Sequence, residues 1–251
     1  MKQILSIAKF TMKENISNKV FNGFIFFGML VIFTTVVLKE ISLYESERVI
    51  MDTGLFLIEF LILLMAVYIS STMIIKHKNE KSLYLVLTKP VSRSMYVTGI
   101  TFGIIGTILI NLIVMGVILC GVIFWQKGNI GIDFFYSMIF MFYKLSIISA
   151  IGVMFSVISD SIVTATIFTF SVYVAAHGVN ELKMLSDKVQ NGFYKIILDI
   201  VYYILPNMRT LNYRDYLKQI DPDMLKVVLY VGGYILIIVS LANIIFSKKK
   251  I

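Results

Sequence analysis

Charge is what this sequence has least of. Asp, Glu, Lys and Arg make up 15% of its 251 residues, where a soluble domain carries about 25%. Apolar residues take up the difference, at 58% of the chain with a mean hydropathy of +0.86, and an excess of that size belongs in lipid. Proline is almost absent. Pro90, Pro206 and Pro222 are the three that occur, and all lie outside the long apolar runs. Proline therefore does not break a run at mid-membrane as it does in many secondary transporters; only glycines are left to do that. The single cysteine, Cys120, sits within an apolar run. It excludes an intrachain disulfide and a cysteine metal cluster, and reads as a small buried apolar side chain.

Catalytic patterns are missing as well. No G-x-x-x-x-G-K-[ST] occurs, so the chain has no phosphate-binding loop. There is no G-x-S-x-G and no H-E-x-x-H, and no pair of aspartates shares an apolar run, which speaks against an intramembrane hydrolase. His77 reads as a loop residue at the headgroups and His177 as an interfacial one. No catalytic, cofactor-binding or metal-binding residue is assigned to this chain.

What is present is a series of long apolar runs. A helix of about 20 apolar residues crosses the hydrocarbon core, and six such runs occur, at about 20–38, 54–75, 96–125, 134–158, 162–179 and 225–246. The net charge of +8 is gathered in three places: Lys2, Lys9, Lys13 and Lys19; Lys76, Lys78, Lys81, Lys89 and Arg93; and Lys248 to Lys250. With six spans, all three clusters fall on one side, as the positive-inside rule requires. The expectation is an all-α integral membrane protein, six transmembrane helices with cytoplasmic N- and C-termini, and no nucleic-acid partner. In residues 1–19, Ile4, Leu5, Ala8 and Met12 form a helical stripe, which predicts an amphipathic interfacial helix on the membrane lipids. No small-residue cleavage site follows, so a signal peptide is not expected. Residues 180–224 form the long extracytoplasmic segment. Within it, 193–205 reads as a helix lying in the outer interface, stopped by Pro206.

A few polar residues lie inside the runs. Lys144 is the one charge deep in a span, where an ammonium costs about 2.5–3.5 kcal/mol on insertion scales unless it faces protein or water. Glu59 lies inside the second span and is within conceivable reach of it. Lys144, Glu59 and the mid-span Asn111 are candidates for a translocation path. The plainer reading is a structural ion pair or a snorkelling lysine, with Asn111 as an interhelical hydrogen bond. Gly99, Gly103 and Gly106 share one side of the third span, and Gly152 and Ser156 notch the fourth. Small residues at such spacings let helices approach closely, within the chain or across a dimer seam.

The segment 76–95 between the second and third spans has its own pattern. Leu83, Val86 and Leu87 lie on one helical face, Glu80 and the lysines stay wet, Pro90 stops the helix, and Ser92 stands where an N-cap belongs. Glu80-Lys81-Ser82-Leu83, then Leu87-Thr88-Lys89-Pro90-Val91-Ser92-Arg93, then Tyr96 and Gly99 resemble the cytoplasmic loop of type-2 ATP-binding-cassette (ABC) permeases. Lys81-Ser82 stands where that family usually has Gly-Thr, and Ile100 where it has Lys. Leu205-Pro206-Asn207 with Asn212 is a weaker echo of its step before the last span. The resemblance implies that the segment is a coupling helix, with Glu80, Leu83, Val86, Leu87, Pro90, Ser92 and Arg93 docking a partner ATPase pair that carries ATP and Mg. It also implies a second permease subunit, as homo- or heterodimer, and export. The expected lack of a cleavable leader and the compact size suit a bacterial plasma membrane. Two other readings remain on the residues alone: a secondary transporter or channel driven by an ion gradient through Lys144 and Glu59, and a membrane scaffold that moves nothing.

Overall fold

The computed structural model describes residues 2–18, 22–30, 33–34, 46–81, 92–126, 128–189, 192–213 and 223–249. Among these there is no strand. The helices are α1 (Lys2–Ile16), α2 (Ser46–Asn79), α3 (Arg93–Trp125), α4 (Ile132–Ile158), α5 (Ile162–His177), α6 (Val179–Lys188), α7 (Gly192–Ile204) and α8 (Met224–Lys248), with a 3₁₀ turn at Arg209–Leu211 before α8. Residues 22–30 are also helical. Among the described residues, α2, α3, α4 and α8 are long and apolar enough to cross a membrane. The short α5 qualifies only together with α6, from which it is bent by 60°. The predicted first span lies partly outside the described residues, as do Leu83, Val86, Leu87 and Pro90.

Both helices that flank the central loop overrun the runs predicted from hydropathy. α3 has 33 residues, about 50 Å at 1.5 Å per residue, against a hydrocarbon core of about 30 Å. α2 continues to Asn79 and stops with Lys81 in the left-handed region, at φ 59°. A left-handed residue is a common helix stop that favours glycine, and this is the step where the resembling loops carry one.

α4 forms the centre, packed by α2, α3, α5 and α8. Small side chains set the approach. A Cβ on Gly152 would run into Ser70 of α2, and Ser71 Oγ lies 2.7 Å from Thr166 Oγ1 of α5. Glycine is needed at Gly103 for the same reason: a Cβ there would stand 2.5 Å from Thr11 and 2.8 Å from the Ala8 carbonyl. The stripe Gly99, Gly103, Gly106 is thus filled from within the chain, by Ile7, Thr11 and Met12 of α1. The pairings advance along both helices together, and Asn15 donates to Thr107 Oγ1 at 3.3 Å. The expected interfacial helix is therefore bound along α3 by a line of small and polar residues, Ala8, Thr11 and Asn15, all buried. Leu5 and Phe10 remain exposed. Helix-to-helix contact between small residues outweighs the weak amphipathicity of this segment.

Candidate functional site

Lys144 lies 12 residues into α4, about 18 Å along its axis. It does not snorkel: its side chain is 1% exposed. The ammonium donates to Glu59 Oε1 of α2 at 2.5 Å and to Asn212 Oδ1, just after the 3₁₀ turn, at 2.5 Å. Glu59 is itself 8% exposed. Two opposite charges and an amide thus satisfy one another where water is excluded, the condition under which an ionised pair survives burial. The pair that the sequence made conceivable forms, and snorkelling is ruled out. Asn111 is tied instead to Met65, with Nδ2 at 2.7 Å from the sulfur, an interhelical contact between α3 and α2.

The polar cluster opens on one side to a cavity of about 210 Å³ lined by Phe56, Glu59, Phe60, Tyr173, His177 and Asn212. α2 supplies the first three at helical spacing, α5 supplies Tyr173 and His177, and the strand of chain after α7 supplies Asn212. Phe56 and Phe60 stack with ring centroids 6.3 Å apart and are half exposed. His177 ends α5, and its ring donates from Nδ1 to the Tyr173 carbonyl at 3.0 Å. His177, expected at the interface, lines the cavity wall. Asn212 is fixed by the turn before it. There the Met208 N–H donates to the Ala176 carbonyl at 3.2 Å, and the Asn207 N–H donates to the Tyr230 hydroxyl at 2.8 Å.

A second cluster ties the opposite end of the bundle. His77 is not a loop residue but lies in the last turn of α2, buried. Its Nε2 donates to Glu14 of α1 at 3.1 Å. In the neutral ring Nδ1 then accepts from the Tyr96 hydroxyl of α3, at 2.6 Å. Tyr96 stacks on Phe246 of α8, centroids 6.0 Å apart. The hydrogen bond from His77, aided by Lys76, holds Glu14 below the usual carboxylate range against the opposing effect of burial. Ser92 caps α3, accepting from the Met95 N–H at 3.3 Å. Arg93 donates to the carbonyls of Ser247 and Lys249 at 3.3 and 2.9 Å. Asp160, in the α4–α5 turn, takes Lys78 at 2.8 Å and Lys249 at 3.1 Å, which lowers its pKa. Glu80 is exposed at the end of α2.

Of the residues singled out from sequence, Glu59 and Lys144 meet, and Ser92 and Arg93 take part in the second cluster. Asn212, Glu14, Asp160 and Phe246 were not anticipated in these roles. Asn212 alone carried a signal, its place after Leu-Pro-Asn.

A family model described as "ABC-2 family transporter protein" matches residues 2–251. No curated protein matches the chain.

Proposed function

This chain belongs to the ABC-2 transporter family, and on that premise we propose that it is the permease of an ABC exporter, driven by ATP hydrolysed on a separate pair of subunits. Permeases of this family work with an ATPase subunit, and the chain has no phosphate-binding loop of its own. In this reading six spans cross the membrane with both termini cytoplasmic, and a second permease copy, identical or related, completes the pathway. Leu83, Val86 and Leu87 dock apolar against the ATPase, Glu80 meets it from the rim, and Pro90 with Ser92 and Arg93 forms the stiff corner into α3.

The observation that carries the reading is the fastening of the two helix ends beside the loop. The last turn of α2 and the first turn of α3 are bound to α1, to α8 and to the α4–α5 turn. A force delivered to the loop then moves these helices as one body. Lys144, Glu59 and Asn111 line the path in this reading, and α7 with Pro206 gates the outer end.

The test is a mild-detergent pull-down of the tagged chain from its native cells, with identification of what co-elutes. An ATPase with a phosphate-binding loop, at near-equal stoichiometry and lost in Leu83→Asp/Leu87→Asp, supports the permease. A clean preparation without one, in a detergent that keeps other transporter complexes whole, sinks it. The buried Lys144–Glu59 pair supports a second reading, ion-coupled transport. That reading requires flux abolished by an uncoupler and indifferent to loss of any ATPase.

A further inference from the structure

Hydropathy gives the lipid-facing stripe of α1 to Ile4, Leu5, Ala8 and Met12, and the structure turns most of that stripe onto α3. Ile4 lies against Gly99, Ala8 against Gly103 and Met12 against Gly106. The face left outward has a different chemistry. At about 100° per residue, Lys2, Lys9 and Lys13 fall on one line opposite the α3 contact, and all three are exposed. Among the described residues none of these ammonium groups has a partner. Leu5, 73% exposed, and Phe10, 61% exposed, flank the line, one on each side. The carboxylate of α1, Glu14, is turned inward onto His77 and Lys76, so the outward face carries charge of one sign.

This face also lies at the right depth for headgroups. Trp125, exposed at the far end of α3, belongs in an interfacial belt. Counted from there, a hydrocarbon core of about 30 Å takes up about 20 residues of α3 and leaves about the first dozen at and beyond the opposite headgroups. Gly99 and Gly103, on which α1 is seated, are among them. Lysines along a bilayer surface attract anionic lipid, and bulky apolar side chains beside them enter the acyl boundary. An acidic protein surface would answer the lysines and leave Leu5 and Phe10 wet. Anionic lipid answers both.

We infer that the outward face of α1 is a binding surface for anionic phospholipid. Negatively charged headgroups lie along Lys2, Lys9 and Lys13, and their acyl chains cover Leu5 and Phe10. Lipid and α3 then hold α1 from opposite sides, and the Glu14–His77 contact carries that hold to the last turn of α2. Neither an ATPase nor a transported substrate enters this assignment.

The experiment uses the purified full chain in nanodiscs of equal phosphatidylglycerol and phosphatidylcholine. Trp125→Phe removes the one native tryptophan, and Phe10→Trp places another on the outward face. One lipid or the other carries bromine near the top of its acyl chains, so quenching of the tryptophan reports which lies beside α1. Brominated phosphatidylglycerol should quench at least twice as strongly as brominated phosphatidylcholine at low salt. The excess should shrink at about 1 M salt, where the screening length falls to about 3 Å. Lys2→Gln/Lys9→Gln/Lys13→Gln should abolish the excess, and Lys2→Arg/Lys9→Arg/Lys13→Arg should keep it. Equal quenching by the two lipids with the lysines in place would overturn the assignment, as would an excess that survives the glutamine variant. Quenching by neither lipid would also overturn it and give the face to an acidic protein partner.

Discussion

Replacing Lys144 with Met removes the ammonium and leaves the Glu59 carboxylate and the Asn212 amide facing each other in a site where Lys144 was 1% and Glu59 8% exposed. Losing one member of a buried pair costs about 3–5 kcal/mol, because the remaining charge loses its counter-charge. In a chain of this size that corresponds to a fall in melting temperature on the order of 10 °C. Replacing both, Lys144→Met with Glu59→Leu, removes the stranded charge and keeps the volume. Most of the loss should return, short of about 1.5–3 kcal/mol for the charge-assisted hydrogen bond that Asn212 accepted from Lys144. The assay is thermal unfolding in detergent, followed by the fraction that stays monodisperse, for the wild type, both single variants and the double. A double variant as unstable as Lys144→Met would refute the electrostatic account and place the loss in packing. Transport by the stable double variant then separates the two roles of the pair. Full activity makes it structural, and a folded but inactive double variant makes it part of the path.

Other expectations follow from particular contacts. Gly103→Leu should displace α1 from α3, because the first added carbon already meets Thr11 at 2.5 Å. A cost of about 1–3 kcal/mol and new protease cleavage before residue 18 would show it, whereas Gly232→Ala, open on all sides, should do neither. Lys81→Gly should stabilise by about 1 kcal/mol by relieving the left-handed residue at φ 59°, and Lys81→Val should destabilise; chemical denaturation of the two variants measures both. Ser92→Ala removes the cap on α3 and should cost about 1 kcal/mol, read in the same melts. The pKa of Glu14 is lowered in the folded chain, so its contribution to stability is whole above the ordinary carboxylate value of about 4 and is lost as pH falls through the lowered one. Melts from pH 7 to 3 should therefore show an acid-side decline that is shallower in Glu14→Gln, and an equally steep decline in that variant would exclude Glu14 as a source.

Much of the fold was legible because a bilayer imposes it. The apolar runs beginning near 54, 96, 134 and 225 became α2, α3, α4 and α8, since backbone polar groups in lipid leave helices as the available form, and Pro206 stands two residues past the end of α7 at Ile204. The N-cap at Ser92 was readable from one hydroxyl in front of an apolar run. Lys144 announced that it needed a partner, because an unpaired ammonium does not stay in hydrocarbon. The carboxylate on α2 was foreseeable; the amide of Asn212, 68 residues after Lys144, was not.

Composition and run length by themselves determined that this chain is helical and membrane-embedded. The tertiary structure alone decided which faces meet. A helix in lipid is apolar on every side, so its period does not mark the face that turns inward as it does in water. That is why the glycine stripe of α3 did not disclose α1 as its occupant. For the same reason His77 looked like a loop residue until Glu14 and Tyr96 closed around it, and the cavity at Glu59 took shape only when α5 brought Tyr173 and His177 against α2.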